Sequence, residues 1–234
     1  MNLVLLRRLF LVAMPLALAV VLYWHPAGGE NVFEGVSPDV DAWLFVHTVL
    51  LLAFPLLGLV AFHLLRGVDS RAATVSRVSV VLFLVFYTAY EVTIGVGTGV
   101  LVDYANGLPP GEQAVVADAI QDYNRNWIVA EPSSIALIVG FLGWVVAMFS
   151  AAFALRRGGA TWPVTLLVAG AALFAIHPFP VGPVGLVCLA GASLLIERSR
   201  AREARAFTIR ASAVSAPAVT EAPAQAAPAI EPAA

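Results

Sequence analysis

The chain contains no lysine; all 13 of its positive residues are arginine. Charge of either sign is scarce, at 12% of residues, where an ordinary soluble domain carries about a quarter. With 60% hydrophobic residues and a mean hydropathy of +0.88, this excludes a freely soluble globular domain. The single cysteine, Cys188, lies in an apolar run, which excludes an intramolecular disulfide and leaves it the role of a small hydrophobe. No basic patch interleaved with aromatics is present, so nucleic acid is excluded as a partner. The partner this composition requires is a lipid bilayer. Close-spaced catalytic motifs are lacking too, and no HExxH pair occurs. The run Gly95-Val96-Gly97-Thr98-Gly99 has the glycines of a phosphate loop without its strand-then-helix context. A four-residue glycine spacing inside an apolar segment reads instead as a close helix contact.

Six apolar runs are present, over 6–24, 37–65, 75–102, 134–155, 162–176 and 184–196. The arginines between them alternate in sequence: Arg7 and Arg8; Arg66, Arg71 and Arg77; Arg156 and Arg157; then Arg198, Arg200, Arg202, Arg205 and Arg210. Each cluster falls at a terminus or in an even-numbered gap, and Arg125 alone breaks the pattern. Positive charge is retained on the cytoplasmic side during insertion. The expected fold is therefore an all-α, polytopic membrane helix bundle of six transmembrane helices with both termini cytoplasmic. Its expected location is the plasma (inner) membrane, and the arginine-only, alanine-rich composition points to a bacterium. Arg7 and Arg8 read as an interfacial anchor rather than an export signal, because no Ala-x-Ala cleavage site follows.

The expected layout is a transmembrane domain over 1–198, a charged cytoplasmic helix over 199–210, and a disordered Ala/Pro-rich tail over 211–234. An outer loop over 103–132 is long for a connector, and 110–123 within it reads as a short amphipathic helix. Ser37, Pro38 and the acidic pair Asp39 and Asp41 predict the start of the second span, with Gly67 as its C-cap.

Glu91 is the one carboxylate well inside a span. A charged carboxylate there costs about 2.5–3.5 kcal/mol on insertion scales, so it requires a cavity or a partner. Tyr87, Thr88, Gly95 and Thr98 fall near it on one helical face. His25 and His177 each end an apolar run and each precede a proline. With His47, they lie in the half of the bundle nearest the outer surface. The candidate polar pocket is thus His25, His47, Tyr87, Glu91 and His177. The histidines, with Glu91 or Asp39, offer nitrogen and oxygen ligands to a divalent metal, each from a different helix. Haem is disfavoured: His47 and His63 lie roughly 24 Å and about 160° apart on one helix, and no second histidine is expected at the height of His63. A single haem between His47 and His177 is the remaining form.

Three functions stay open at this point. The first is an outward-facing pocket for a cation or small polar ligand. The second is a metal-dependent membrane enzyme using the same residues. The third is a structural or assembly protein in which the polar groups only hold helices together. No catalytic role is assignable from sequence.

Overall fold

The structure, a computed structural model, describes residues 3–26, 28–128 and 134–215, with side chains to residue 207. The described residues are all-helical. The α-helices are α1 (Leu3–Val21), α2 (Val32–Val36), α3 (Val40–Leu64), α4 (Arg71–Tyr90), α5 (Thr98–Asn106), α6 (Pro110–Asn124), α7 (Ile135–Arg157), α8 (Trp162–Gly170) and α9 (Val181–Ser215). Short 3-10 segments continue α1 over Leu22–Trp24 and α8 over Ala171–Ala175, and a π-helix over Glu91–Gly97 joins α4 to α5.

Five helical stretches are long and apolar enough to cross a membrane: Leu3–Trp24, Val32–Leu64, Arg71–Asn106, Ile135–Arg157 and Val181–Phe207. The sixth expected span is a shorter apolar segment, Trp162–Ala175. Its last five residues are 3-10 helix, which rises about 2.0 Å per residue against about 1.5 Å for α-helix. The segment thereby gains reach for its length.

The start of the second span differs from the sequence reading. Ser37 does not cap α3; it opens a 3-10 turn over Ser37–Asp39, and α2 precedes it. Asn31 is the cap, its side chain accepting from the Glu34 amide at 3.3 Å. Ser37 Oγ instead donates to Asn106 Oδ1 at 2.6 Å. The C-cap differs as well: α3 ends at Leu64 with Leu65, not Gly67, at the cap, and Gly67 follows in the turn with φ 78°, a left-handed conformation that suits glycine.

The tightest pairing is α4 against α7. Small residues explain it. A Cβ added at Gly140 would come within 2.7 Å of the Tyr87 amide, and one at Gly143 within 2.8 Å of the Phe83 amide. The backbones touch, and Ser76 Oγ donates to the Ala147 carbonyl at 2.8 Å. In an apolar solvent, such contact and hydrogen bonding hold helices together, since lipid supplies no hydrophobic drive between them.

An aromatic column fills the centre. Phe54, Phe83, Tyr87, Trp144 and Phe174 are all fully buried, with neighbouring rings 4.8–6.3 Å apart, edge-on or tilted except for Phe83, which stacks on Tyr87. Trp144 Nε1 donates to the Ala171 carbonyl at 2.8 Å, where α8 passes into 3-10 helix. A second small core of Val36, Trp43, Val102, Ala105 and Ile120 seats α2 and α6 against α3 and α5. Helix α6 is pinned there by Gln121, which accepts from the Val32 amide at 2.9 Å and donates to the Glu30 carbonyl at 3.0 Å.

The bundle forms one compact unit ending at Arg198; residues from Ser199 form a second. In the second unit the helix continues to Ser215, with Ser199 Oγ donating to Glu203 Oε1 at 3.2 Å. The rest of the expected tail, 216–234, lies outside the described residues.

Candidate metal centre

Two helix ends deliver two of the histidines. His25 and His177 each follow a 3-10 segment and each precede a proline. The residue before proline is pushed out of the helical region, and His25 accordingly has ψ 113°. His47 arrives from α3, one turn after Trp43. One ring nitrogen from each of His25, His47 and His177 lies within 4.8 Å of the other two. The rings pack at centroid distances of 4.9 Å (His25–His47), 5.1 Å (His25–His177) and 6.4 Å (His47–His177).

Hydrogen bonds settle which nitrogen of each ring is free. His47 Nδ1 lies 2.7 Å from the Trp43 carbonyl, and His25 Nδ1 lies 2.8 Å from the Pro26 carbonyl. A carbonyl only accepts, so both Nδ1 atoms carry the proton. His177 Nδ1 lies 2.8 Å from the Tyr87 hydroxyl, whose own proton goes to the Ala175 carbonyl at 3.1 Å. The hydroxyl must then accept from His177 Nδ1–H. All three neutral rings therefore leave Nε2 with its lone pair. His25 Nε2 is buried without a hydrogen-bond partner among the described residues. Committing Nδ1 to an oxygen in this way orients the ring of a metal-ligating imidazole.

Protonation would spoil the set, and the site opposes it. Burial lowers the pKa of His25 below the usual 6.5. Burial, and then the neighbouring His25 and His47, hold His177 well below it.

Glu91 completes the group from the first residue of the π-helix. Its Oε1 lies 3.7 Å from His47 Nε2 and has no hydrogen-bond partner among the described residues. The side chain is 1% exposed. The π-helix is what turns it toward His47. A Cβ at Gly95 would run into the His47 ring and come within 2.8 Å of Glu91 Oε1, so only glycine admits the imidazole here. Carbonyls of the π-helix also accept from side chains: Trp43 Nε1 donates to Gly95 O at 2.7 Å, alongside the Thr98 amide, and the Tyr123 hydroxyl to Thr93 O at 3.0 Å.

All five expected pocket residues thus meet at one end of the bundle, with Tyr87 acting through His177. Asp39 is exposed on its 3-10 turn. His63 lies at the far end of α3, its Nδ1 3.2 Å from the Leu59 carbonyl. A haem between His47 and His177 has no room, because the His25 ring lies nearer to each than they lie to one another. Trp43 was not legible as a site residue. It stacks on His47 at 4.2 Å while bonding Gly95 O, and its position one turn before His47 was the available signal.

Zinc–imidazole bonds of about 2.0–2.1 Å place tetrahedral ligand atoms about 3.4 Å apart. The histidine nitrogens, all within 4.8 Å of one another, are spaced on that scale. Three neutral nitrogens with one adjacent carboxylate suit a divalent transition metal better than calcium or magnesium, which take oxygen ligands. No known protein family, curated protein or solved structure matches this chain.

Proposed function

We propose that this chain is a multi-pass membrane protein that binds a divalent transition-metal ion, zinc being the reference case, through Nε2 of His25, His47 and His177. One observation carries the reading: three imidazoles from three segments converge, each with Nδ1 committed and Nε2 open. Glu91 supplies the negative charge that offsets the cation. A purely structural role for these groups accounts less well for a buried carboxylate oxygen and a buried imidazole nitrogen that both lack hydrogen bonds, since such groups cost free energy when left unsatisfied.

The arginine alternation supports a six-span topology with both termini in the cytoplasm of a plasma membrane. Exposed aromatics at the histidine end, Tyr23, Trp24 and Trp127, and exposed Trp162 at the other end fit two interfacial belts. In this topology the histidine cluster lies toward the outer side of the bundle. The test is metal analysis of protein stripped with a chelator, incubated with Zn²⁺ and desalted. Wild type retains one zinc per chain and His47→Ala retains none. Equal retention by both would remove the reading.

A further inference from the structure

Three further groups invite interpretation. Arg7 and Arg8 converge on buried Glu197, at 2.7 and 3.4 Å, and that ion pair already accounts for them. Cys188 is a lone half-buried thiol. The third group, Glu91 with the aromatic rim beside two of the histidines, reaches further.

Three histidines leave a four-coordinate ion one open position, as in catalytic rather than structural sites. A carboxylate oxygen of Glu91, with no hydrogen bond among the described residues, stands 3.7 Å from His47 Nε2. The rim beside His25 and His177 is apolar and exposed. Tyr23 packs edge-on against Trp24 at 6.1 Å and against Phe179 at 5.3 Å. Trp24 immediately precedes His25, and Phe179 lies two residues after His177. All three rings are more than half exposed. Exposed aromatics with polar tips mark the level where acyl chains meet water. An amphiphile seated at that level would carry its acyl carbonyl to the histidine end of the bundle.

Resting on the metal reading above, we infer that the centre hydrolyses carboxylic esters of acyl chains, with Glu91 as the proton acceptor for the attacking water. The metal, when bound, polarises that water. Glu91 takes one water proton as the water oxygen forms a bond to the ester carbonyl carbon. The tetrahedral adduct collapses with cleavage of the bond to the alkoxy oxygen, and Glu91 returns the proton to that leaving oxygen. Ester and water become carboxylic acid and alcohol, with no redox change. The Tyr23, Trp24 and Phe179 rim holds the acyl chain.

The test uses the full chain in detergent micelles with Zn²⁺, and 4-methylumbelliferyl butyrate and dodecanoate as probes. Wild type should hydrolyse both esters only when zinc-loaded. Glu91→Gln should keep one zinc per chain and an unchanged melting temperature while losing about a hundredfold in kcat. Glu91→Asp should keep zinc and recover part of the rate. Tyr23→Ala with Phe179→Ala should raise KM for the dodecanoate more than for the butyrate, with kcat unchanged. Zinc-loaded wild type no faster than His47→Ala overturns the hydrolysis and leaves metal binding standing. Loss of zinc in both Glu91 variants makes Glu91 a ligand and overturns its role as proton acceptor. Failure of wild type to retain zinc overturns both readings.

Discussion

The Tyr87 hydroxyl lies 2.8 Å from Nδ1 of His177 and 3.1 Å from the carbonyl of Ala175. One phenol thus orients a ring from another segment and fixes its tautomer. It is also the last ring of the buried aromatic column, so packing of the core is transmitted to the metal centre. Tyr87→Phe should keep the column and release His177. Zinc affinity is expected to fall about 10–100-fold, the usual effect of losing an outer-shell partner. Isothermal titration of chelator-stripped protein checks this, and unchanged affinity would show that His177 is held by other means.

Gly95 is the position where a methyl group should matter most. In Gly95→Ala the new Cβ meets the His47 ring and Glu91 Oε1. Overpacking of this kind costs about 1–3 kcal/mol. The expected result is a lower melting temperature together with lost zinc retention. Gly111→Ala is the control, since nothing lies within 4 Å of a Cβ there.

Trp43→Phe separates stacking from hydrogen bonding. The ring still covers His47, but the Gly95 carbonyl loses its indole donor. The carbonyl still accepts from the Thr98 amide, so the loss is that of one hydrogen bond, about 0.5–1.5 kcal/mol. Thermal unfolding should show this loss of stability, and zinc retention should fall less than in Gly95→Ala.

Acid should destabilise the metal-free protein through His25 and His177. Both have folded-state pKa values below the ordinary 6.5. Between those values and 6.5 the unfolded chain binds protons that the folded chain refuses. Stability is therefore fully present above about pH 6.5 and declines as pH falls below it. Melting curves between pH 8 and 5 check the sign. A melting temperature that rises on acidification would contradict it.

Orientation is testable with an impermeant thiol reagent on intact cells, in a Cys188→Ala background. A cysteine at Gly111, on the first turn of α6, should react. One at Gly158, at the end of α7 beside Arg156 and Arg157, should not. The reverse pattern would invert the proposed topology and turn the metal centre to the cytoplasm.

Much of this protein was readable from its sequence because membrane burial is governed by composition along the chain. Apolar runs and arginine spacing mark helices without reference to anything distant, and a carboxylate such as Glu91 inside an apolar run announces itself by its desolvation cost. The His-Pro endings at His25 and His177 were equally local signals. Tertiary structure decided what periodicity could not. The π-helix over Glu91–Gly97 shifts the facing of every residue after it, so an unbroken 100° period cannot show that Glu91 and Gly95 both turn to His47. Which imidazole nitrogen is free depends on acceptors such as the Tyr87 hydroxyl, 90 residues from His177 in the chain. Those distances are set by how closely helices pack, through side chains at Gly140 and Gly143 that are too small to hold α4 and α7 apart.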